Sequence, residues 1–174
     1  MSLTRVFIHG LDGSSSGTKG RFFRKTCPDM IIEDFSGTLQ QRMDKLNRLL
    51  SDKTSLIIIG SSFGGLMGAI FACKNPKKVK KLVLLAPALT FPEFEAYLQE
   101  RIDIPVTIYH GQNDDVISVG PVHEIARTVF RNLTFNVVED DHVLSNTFMS
   151  MDWDSLLEMR RTLSLFTCQR LDNR

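Results

Sequence analysis

A run of four apolar residues, Leu56-Ile57-Ile58-Ile59, leads directly into Gly60-Ser61-Ser62-Phe63-Gly64-Gly65. That junction constrains the fold more than any other feature of the chain. A continuous β-branched run suits a strand buried on both faces, as in a parallel sheet. Residues 66–73 are apolar nearly all round and read as a buried helix. The hexapeptide is therefore a sharp strand-to-helix turn with a serine at its centre. Gly60 and Gly64 lack a Cβ, so strand and helix can approach closely. Such a turn strains Ser62 and lifts its hydroxyl above the sheet, which is the nucleophile elbow. At the start of a helix, backbone N–H groups also point at developing negative charge. By composition alone, Gly-x-Ser-x-Gly arises in roughly one chain in twenty of this size. The flanking strand and helix, not the pattern itself, carry the argument.

The same alternation runs through the whole chain. Short apolar runs at residues 5–9, 30–33, 55–60, 82–86, 106–110 and 134–138 predict six strands. Pro105 stands at the start of the fifth, where proline is tolerated. Helical patterns occupy residues 38–50, 64–73, 92–100, 121–130 and 152–166. In the first of these, Leu39, Met43, Leu46, Leu49 and Leu50 share one side. The alternation predicts a doubly wound α/β sheet in one domain, residues 1–174, with no internal repeat. Ser14-Ser15-Ser16-Gly17 reads as a mobile loop after the first strand, and residues 167–174 as a polar tail.

Composition removes several function classes. Apolar residues make up 43% and the net charge is +1, so the chain is globular and carries no charge excess for nucleic acid or a membrane surface. The basic run at residues 74–81 reads as a solvated face. Cys27, Cys73 and Cys168 are odd in number and scattered, with no C-x-x-C. Neither a disulfide framework nor a metal cluster is indicated. Reduced thiols, no apolar stretch of membrane-spanning length and no signal-peptide core place the expected location in the cytoplasm.

A serine hydroxyl needs a base, an orienting acid and an oxyanion hole to become a nucleophile. Around an elbow serine these follow in the order Ser, then Asp or Glu, then His. Four histidines are available. His9 precedes Ser62, His110 ends a strand before any following acid, and His123 lies inside a helical pattern. His142 follows the last strand and is the candidate base. His110-Gly111-Gln112-Asn113-Asp114-Asp115 offers two adjacent acids, Asp114 and Asp115. Asp140 and Asp141 stand too close to His142 to reach its Nδ1 and read as a solvated acidic turn. The oxyanion donors are expected at the N–H of Phe63, after the serine, and of Leu11, in the loop His9-Gly10-Leu11-Asp12-Gly13. That loop lacks the spacing of a phosphate-binding motif.

With these segments in hand, the chain resembles the compact single-domain bacterial esterases of the α/β-hydrolase superfamily. His9 to Ser14 resembles their oxyanion loop, and Gly60 to Gly65 their elbow. Residues 75–87, Asn75-Pro76 through Ala86-Pro87, resemble the helix-to-strand segment that follows. His110-Gly111-x-x-Asp114-x-x-Ile117 resembles the acid loop, and Asp141-His142 the terminal histidine loop. The five segments stand in the family's order between residues 5 and 150. The resemblance implies a three-layer fold with a mostly parallel sheet of about six strands, the family's two leading strands having no counterpart. It also favours Asp114 over Asp115 as the acid. The connection at residues 89–103 is short where relatives insert a lid. Its apolar stripe of Phe91, Phe94, Tyr97 and Leu98 is expected to pack on the core rather than to line an acyl pocket.

The expected function is hydrolysis of carboxylic esters, with short acyl chains preferred, through an acyl-enzyme on Ser62. No cofactor or metal is required, and the partner is a small ester or acylated molecule. A thioesterase or amide hydrolase would use the same residues. A dehalogenase would need Asp in place of Ser62. A non-catalytic binding protein on the same fold would have no use for Ser62, Asp114 and His142 together.

Overall fold

The computed structural model describes residues 3–159. In chain order the elements are β1 (Thr4–Ile8), α1 (Thr18–Thr26), β2 (Ile31–Ile32), α2 (Leu39–Leu49), β3 (Leu56–Ser61), α3 (Phe63–Lys74), β4 (Val79–Leu85), β5 (Ile102–Gly111), α4 (Val119–Val129), β6 (Phe130–Val138) and α5 (Trp153–Leu156). Short 3-10 turns cover Pro92–Tyr97 and Phe148–Ser150. The strands form one sheet in the order β2-β1-β3-β4-β5-β6, every pair parallel. From β1 the chain steps outward to β2, returns to β3 and continues the other way. The reversal lies between β1 and β3, and a crevice opens at such a point beyond the carboxyl ends of the strands.

Side chains alternate across the sheet, as the two-residue period of a strand requires. Val6, Ile8, Leu56, Ile58, Leu82, Leu84, Val106 and Ile108 pack under α2, α3 and α4. Phe7, Ile57, Ile59, Val83 and Leu85 face α1 and the segment around Phe148 and Trp153. Three layers follow from a sheet with two apolar faces. Helix α3 lies against β1, β3 and β4, and Phe63 through Cys73 are all buried. An interior glycine such as Gly68 costs a helix about 1 kcal/mol relative to alanine. Here a Cβ would stand 3.2 Å from Ile58 Cγ2, so glycine permits the close approach. Burial of Leu66, Met67, Ile70 and Phe71 returns roughly 1.5–3 kcal/mol per side chain and outweighs that cost.

Several sequence expectations are corrected. Helix α1 was not expected: its segment, Thr-Lys-Gly-Arg-Phe-Phe-Arg-Lys-Thr, buries only Gly20 and Phe23. Phe23 lies 5.1 Å from the Phe7 ring and 4.8 Å from Trp153, so tertiary packing rather than periodicity holds the helix. The serine-rich loop before it is tied down. Ser15 is buried and its N–H donates to Asp34 Oδ1. β5 starts at Ile102, and Pro105 falls inside it at a register shift against β6. A proline, having no N–H for the ladder, is accommodated at such an irregularity. Pro92–Tyr97 is a 3-10 turn. Of the helix expected over residues 152–166, only Trp153–Leu156 lies among the described residues as helix, and residues 160–166, like the tail with Cys168, lie outside them. The basic run is not simply solvated. Lys80 pairs with Glu158, Lys81 reaches the Ser155 and Leu156 carbonyls at 3.3 Å, and Lys78 the Ser51 carbonyl at 2.9 Å. No helix among the described residues is long and apolar enough to cross a membrane.

Candidate active site

Ser62 stands between the last residue of β3 and the first of α3, with φ 54° and ψ −119°. A serine in this left-handed region is strained, and the surroundings must overdetermine it. They do: its N–H donates to Leu85 O (2.8 Å), and its carbonyl accepts from Gly65 (2.8 Å), Ala88 (3.1 Å) and Leu66 (3.2 Å) N–H. Gly64 explains the tightness. A Cβ there would stand 2.1 Å from Ile8 O and 2.6 Å from His9 O, so the first turn of α3 rests directly on the end of β1.

The acid and histidine loops meet at the carboxyl ends of β5 and β6. Gln112 N–H donates to Val138 O (2.7 Å) and Asn113 N–H to Asp140 O (3.0 Å). Gly111 makes the approach possible, since a Cβ there would lie 2.3 Å from Asp141 O. Across this junction His142 Nδ1 lies 2.8 Å from Asp114 Oδ2, and His142 Nε2 lies 2.9 Å from Ser62 Oγ. The Asp114 side chain is 1% exposed, whereas Asp115 is exposed. Asp114 Oδ1 accepts from the Ile117 (2.8 Å) and Val116 (3.0 Å) N–H groups. Burial alone would raise the Asp114 carboxyl. The Ile117 N–H, His142 and the Val116 N–H outweigh it and hold the group below the ordinary carboxylate range.

Sequence reasoning missed two groups here. Asp140, expected in a solvated turn, is 4% exposed. Its carboxylate accepts from the N–H groups of Thr147 (2.7 Å), Asp141 (2.9 Å) and Asn146 (3.0 Å), closing the loop that carries His142. Asp141 is the exposed member of that pair and accepts from Ser145. His110, set aside as a base, is fully buried, with Nε2 2.8 Å from Ile117 O and 3.1 Å from Asp114 Oδ2. An imidazole ending a buried strand must find polar partners, which was the available signal.

The loop after β1 runs beneath the serine. A Cβ on Gly10 would come within 3.2 Å of Ser62 Cβ. His9 holds this loop: Nε2 accepts from Phe35 N–H (2.9 Å), so Nδ1 carries the proton and donates to Gly10 O (2.7 Å). The Leu11 and Phe63 amides, the expected oxyanion donors, have no acceptor among the described residues. Both residues border a cleft of about 360 Å³ that contains Ser62 and His142. Leu11, Val116 and Val143 on its rim are 49%, 67% and 56% exposed, three of the five exposed large apolar side chains among the described residues. Phe91 also lines the cleft, packed edge-on to Phe63, whereas Phe94 is buried in the core. The apolar stripe packs on the core as expected, Phe91, Tyr97 and Leu98 lying against the cluster that holds Phe94, and Phe91 also borders the cleft. Lys19 reaches across to Val143 O. Among the described residues no cluster of three His, Cys, Asp or Glu side chains could hold a metal ion.

A family model described as the alpha/beta hydrolase fold matches residues 12–101, a span that includes Ser62 and ends before Asp114 and His142. No curated protein matches the sequence. Solved structures share the fold at low identity. Est1E from Butyrivibrio proteoclasticus, solved with ferulic acid bound, is 15% identical with a TM-score of 0.74, covering 90% of this chain and 87% of that one. An esterase from Pyrococcus furiosus is 18% identical with a TM-score of 0.68, covering 90% and 80%. Mouse alpha/beta hydrolase domain-containing protein 10 is 18% identical with a TM-score of 0.68, covering 83% of each chain.

Proposed function

Because the chain belongs to the alpha/beta hydrolase fold family, we propose that it is a serine hydrolase that cleaves carboxylic esters through an acyl-enzyme. The observation that carries this reading is the continuous hydrogen-bonded path from Ser62 Oγ through His142 to Asp114, at 2.9 and 2.8 Å. Ser62 Oγ attacks the ester carbonyl while His142 Nε2 takes its proton. Asp114 holds the ring by the Nδ1–H and stabilises the imidazolium that forms. The oxyanion is received by the Phe63 and Leu11 N–H groups, whose lack of an acceptor among the described residues fits the role. The imidazolium protonates the leaving alcohol. Water, activated by the same ring, then releases the acid and restores Ser62.

The decisive experiment is incubation of the protein and its Ser62→Ala variant with a fluorophosphonate, read by intact mass. A single adduct on the parent alone is the expected result. No adduct on a folded parent would favour a non-catalytic binding protein. The apolar rim of Leu11, Val116 and Val143 is suited to a small acyl group or to one face of a larger acylated molecule. Acetate and butyrate esters should therefore turn over faster than long-chain esters, and the reverse order in a chain-length series would refute this. A feruloyl ester belongs in that series because Est1E, of the same fold, binds ferulic acid. Thioester and amide analogues test the alternative leaving groups. Cytoplasmic action is part of the proposal, supported by the free buried thiols of Cys27 and Cys73.

A further inference from the structure

We infer that His110 is a positioning residue for the reaction: its Nε2–H holds the Ile117 carbonyl while its ring edge stands against Asp114 Oδ2, and together these fix the carboxylate that orients His142. The inference rests on the hydrolase reading above. Nε2 faces two acceptors, the Ile117 carbonyl at 2.8 Å and Asp114 Oδ2 at 3.1 Å. Neither atom can donate, so the ring proton resides on Nε2. Nδ1 is buried and has no partner among the described residues. An unpaired lone pair there is compatible with the Nε2–H tautomer, while a second N–H would be orphaned. The ring is further confined by Phe135, stacked at 6.3 Å and 13°.

Asp114 thus collects three donors and one close ring contact. Oδ1 takes the Val116 and Ile117 N–H groups, Oδ2 takes the His142 Nδ1–H, and the edge of the His110 ring stands 3.1 Å from Oδ2. His110 holds the Ile117 carbonyl, and with it the turn whose N–H groups grip Oδ1, while its ring closes off Oδ2 from the β5 side. One ring therefore fixes both the carboxylate and the chain that supplies its backbone donors. A buried imidazole with an unsatisfied nitrogen is costly for stability alone, and an apolar side chain would pack there without that cost. Its place against Asp114 supplies the reason for a histidine.

Glutamine can carry a donor N–H to roughly the position of Nε2, whereas leucine cannot. We would measure wild type, His110→Gln and His110→Leu by fluorophosphonate labelling rate, by ester kinetics and by thermal melting. In parallel, two-bond 1H–15N correlations of the 15N-histidine-labelled proteins would report tautomers and the His142 Nδ1–H resonance. The expected spectrum shows His110 as the Nε2–H tautomer. In His110→Leu the His142 Nδ1–H signal should move, and labelling rate and kcat should fall about 10-fold, the upper size of one neutral hydrogen bond. KM should change little, and glutamine should restore activity to within about threefold of wild type. Should the leucine variant melt below assay temperature, His110→Asn replaces it, polar but too short to reach Oδ2. An Nδ1–H tautomer for His110, or an unmoved His142 signal with full activity in the leucine variant, would overturn the inference. If the parent fails to label yet the His142 signal depends on His110, the positioning stands and the hydrolase reading falls.

Discussion

Ser62 occupies a backbone conformation that glycine adopts at little cost and serine does not. The strain is of order 1–3 kcal/mol, and a catalytic hydroxyl is a physical reason to retain it. Ser62→Gly should therefore raise stability by about 1 kcal/mol while abolishing fluorophosphonate labelling. In a protein of this size that is an increase of about 2–4 °C in melting temperature. A melting temperature equal to or below that of the parent would show that the hydrogen bond to His142 outweighs the backbone strain. At this scale legibility followed motif and chain order. The elbow pattern singled out Ser62, and elimination among four histidines reached the ring that lies against it. Asp114 and Asp115 differ only in the side of a turn on which they fall, which no spacing of residues reveals. Only the family resemblance favoured the buried one. His110 was hidden although Asp114 and Ile117 follow within the same loop, because the turn that brings them onto its ring is not read from spacing.

At the scale of elements, strands were read more reliably than helices. A buried strand is a continuous apolar run, whereas α1 has a weak apolar pattern and exists because Phe23 packs against Phe7 and Trp153. Helix α2 was legible because Leu39, Met43, Leu46, Leu49 and Leu50 share one side, and the structure adds a local start signal, a capping box in which Thr38 and Gln41 exchange side-chain and backbone hydrogen bonds. The loop carrying His142 contains no regular element, and Asp140 substitutes for one. Asp140→Ala leaves three N–H groups without their acceptor and should destabilise the protein by roughly 2 kcal/mol or more, with labelling of Ser62 reduced as His142 drifts. Burial works against the Asp140 carboxylate, but the Thr147, Asp141 and Asn146 N–H donors depress its pKa below the ordinary value. A depressed carboxylate contributes stability above its unfolded pKa, near 3.9, and loses it as pH falls through the folded value. The gap between parent and Asp140→Ala should thus be widest near neutral pH and narrow in acid. Urea unfolding at pH 7 and pH 3.5 measures it, and a gap that widens in acid would refute the clamp.

For the whole molecule, the topology places the candidate site at the position where the sheet reverses. The loop after β1 and the elbow after β3 end side by side, and the acid and histidine loops reach them from β5 and β6. Strand order was not written in any single segment. It follows from how each crossover packs, so the sequence limited the answer to a parallel, doubly wound sheet without giving the order. Whether the two outer layers are one cooperative unit can be tested with native thiols. Cys27 lies on the α1 face of the sheet and Cys73 on the α3 face. Burial, together with Asp29, raises the Cys27 thiol to about 11, and burial raises Cys73 to about 12. A raised pKa means little thiolate at pH 8, and the thiolate is the reactive form. Both residues should resist alkylation in the native state and become reactive on unfolding. The sheet that joins the layers carries both faces on the same strands, so neither layer can open without exposing the other's strands. Peptide-resolved alkylation across a urea series should consequently give Cys27 and Cys73 the same midpoint. An earlier midpoint for Cys27 would mean that α1, the helix with the weakest sequence signature, opens on its own and uncovers one wall of the cleft before the sheet is lost.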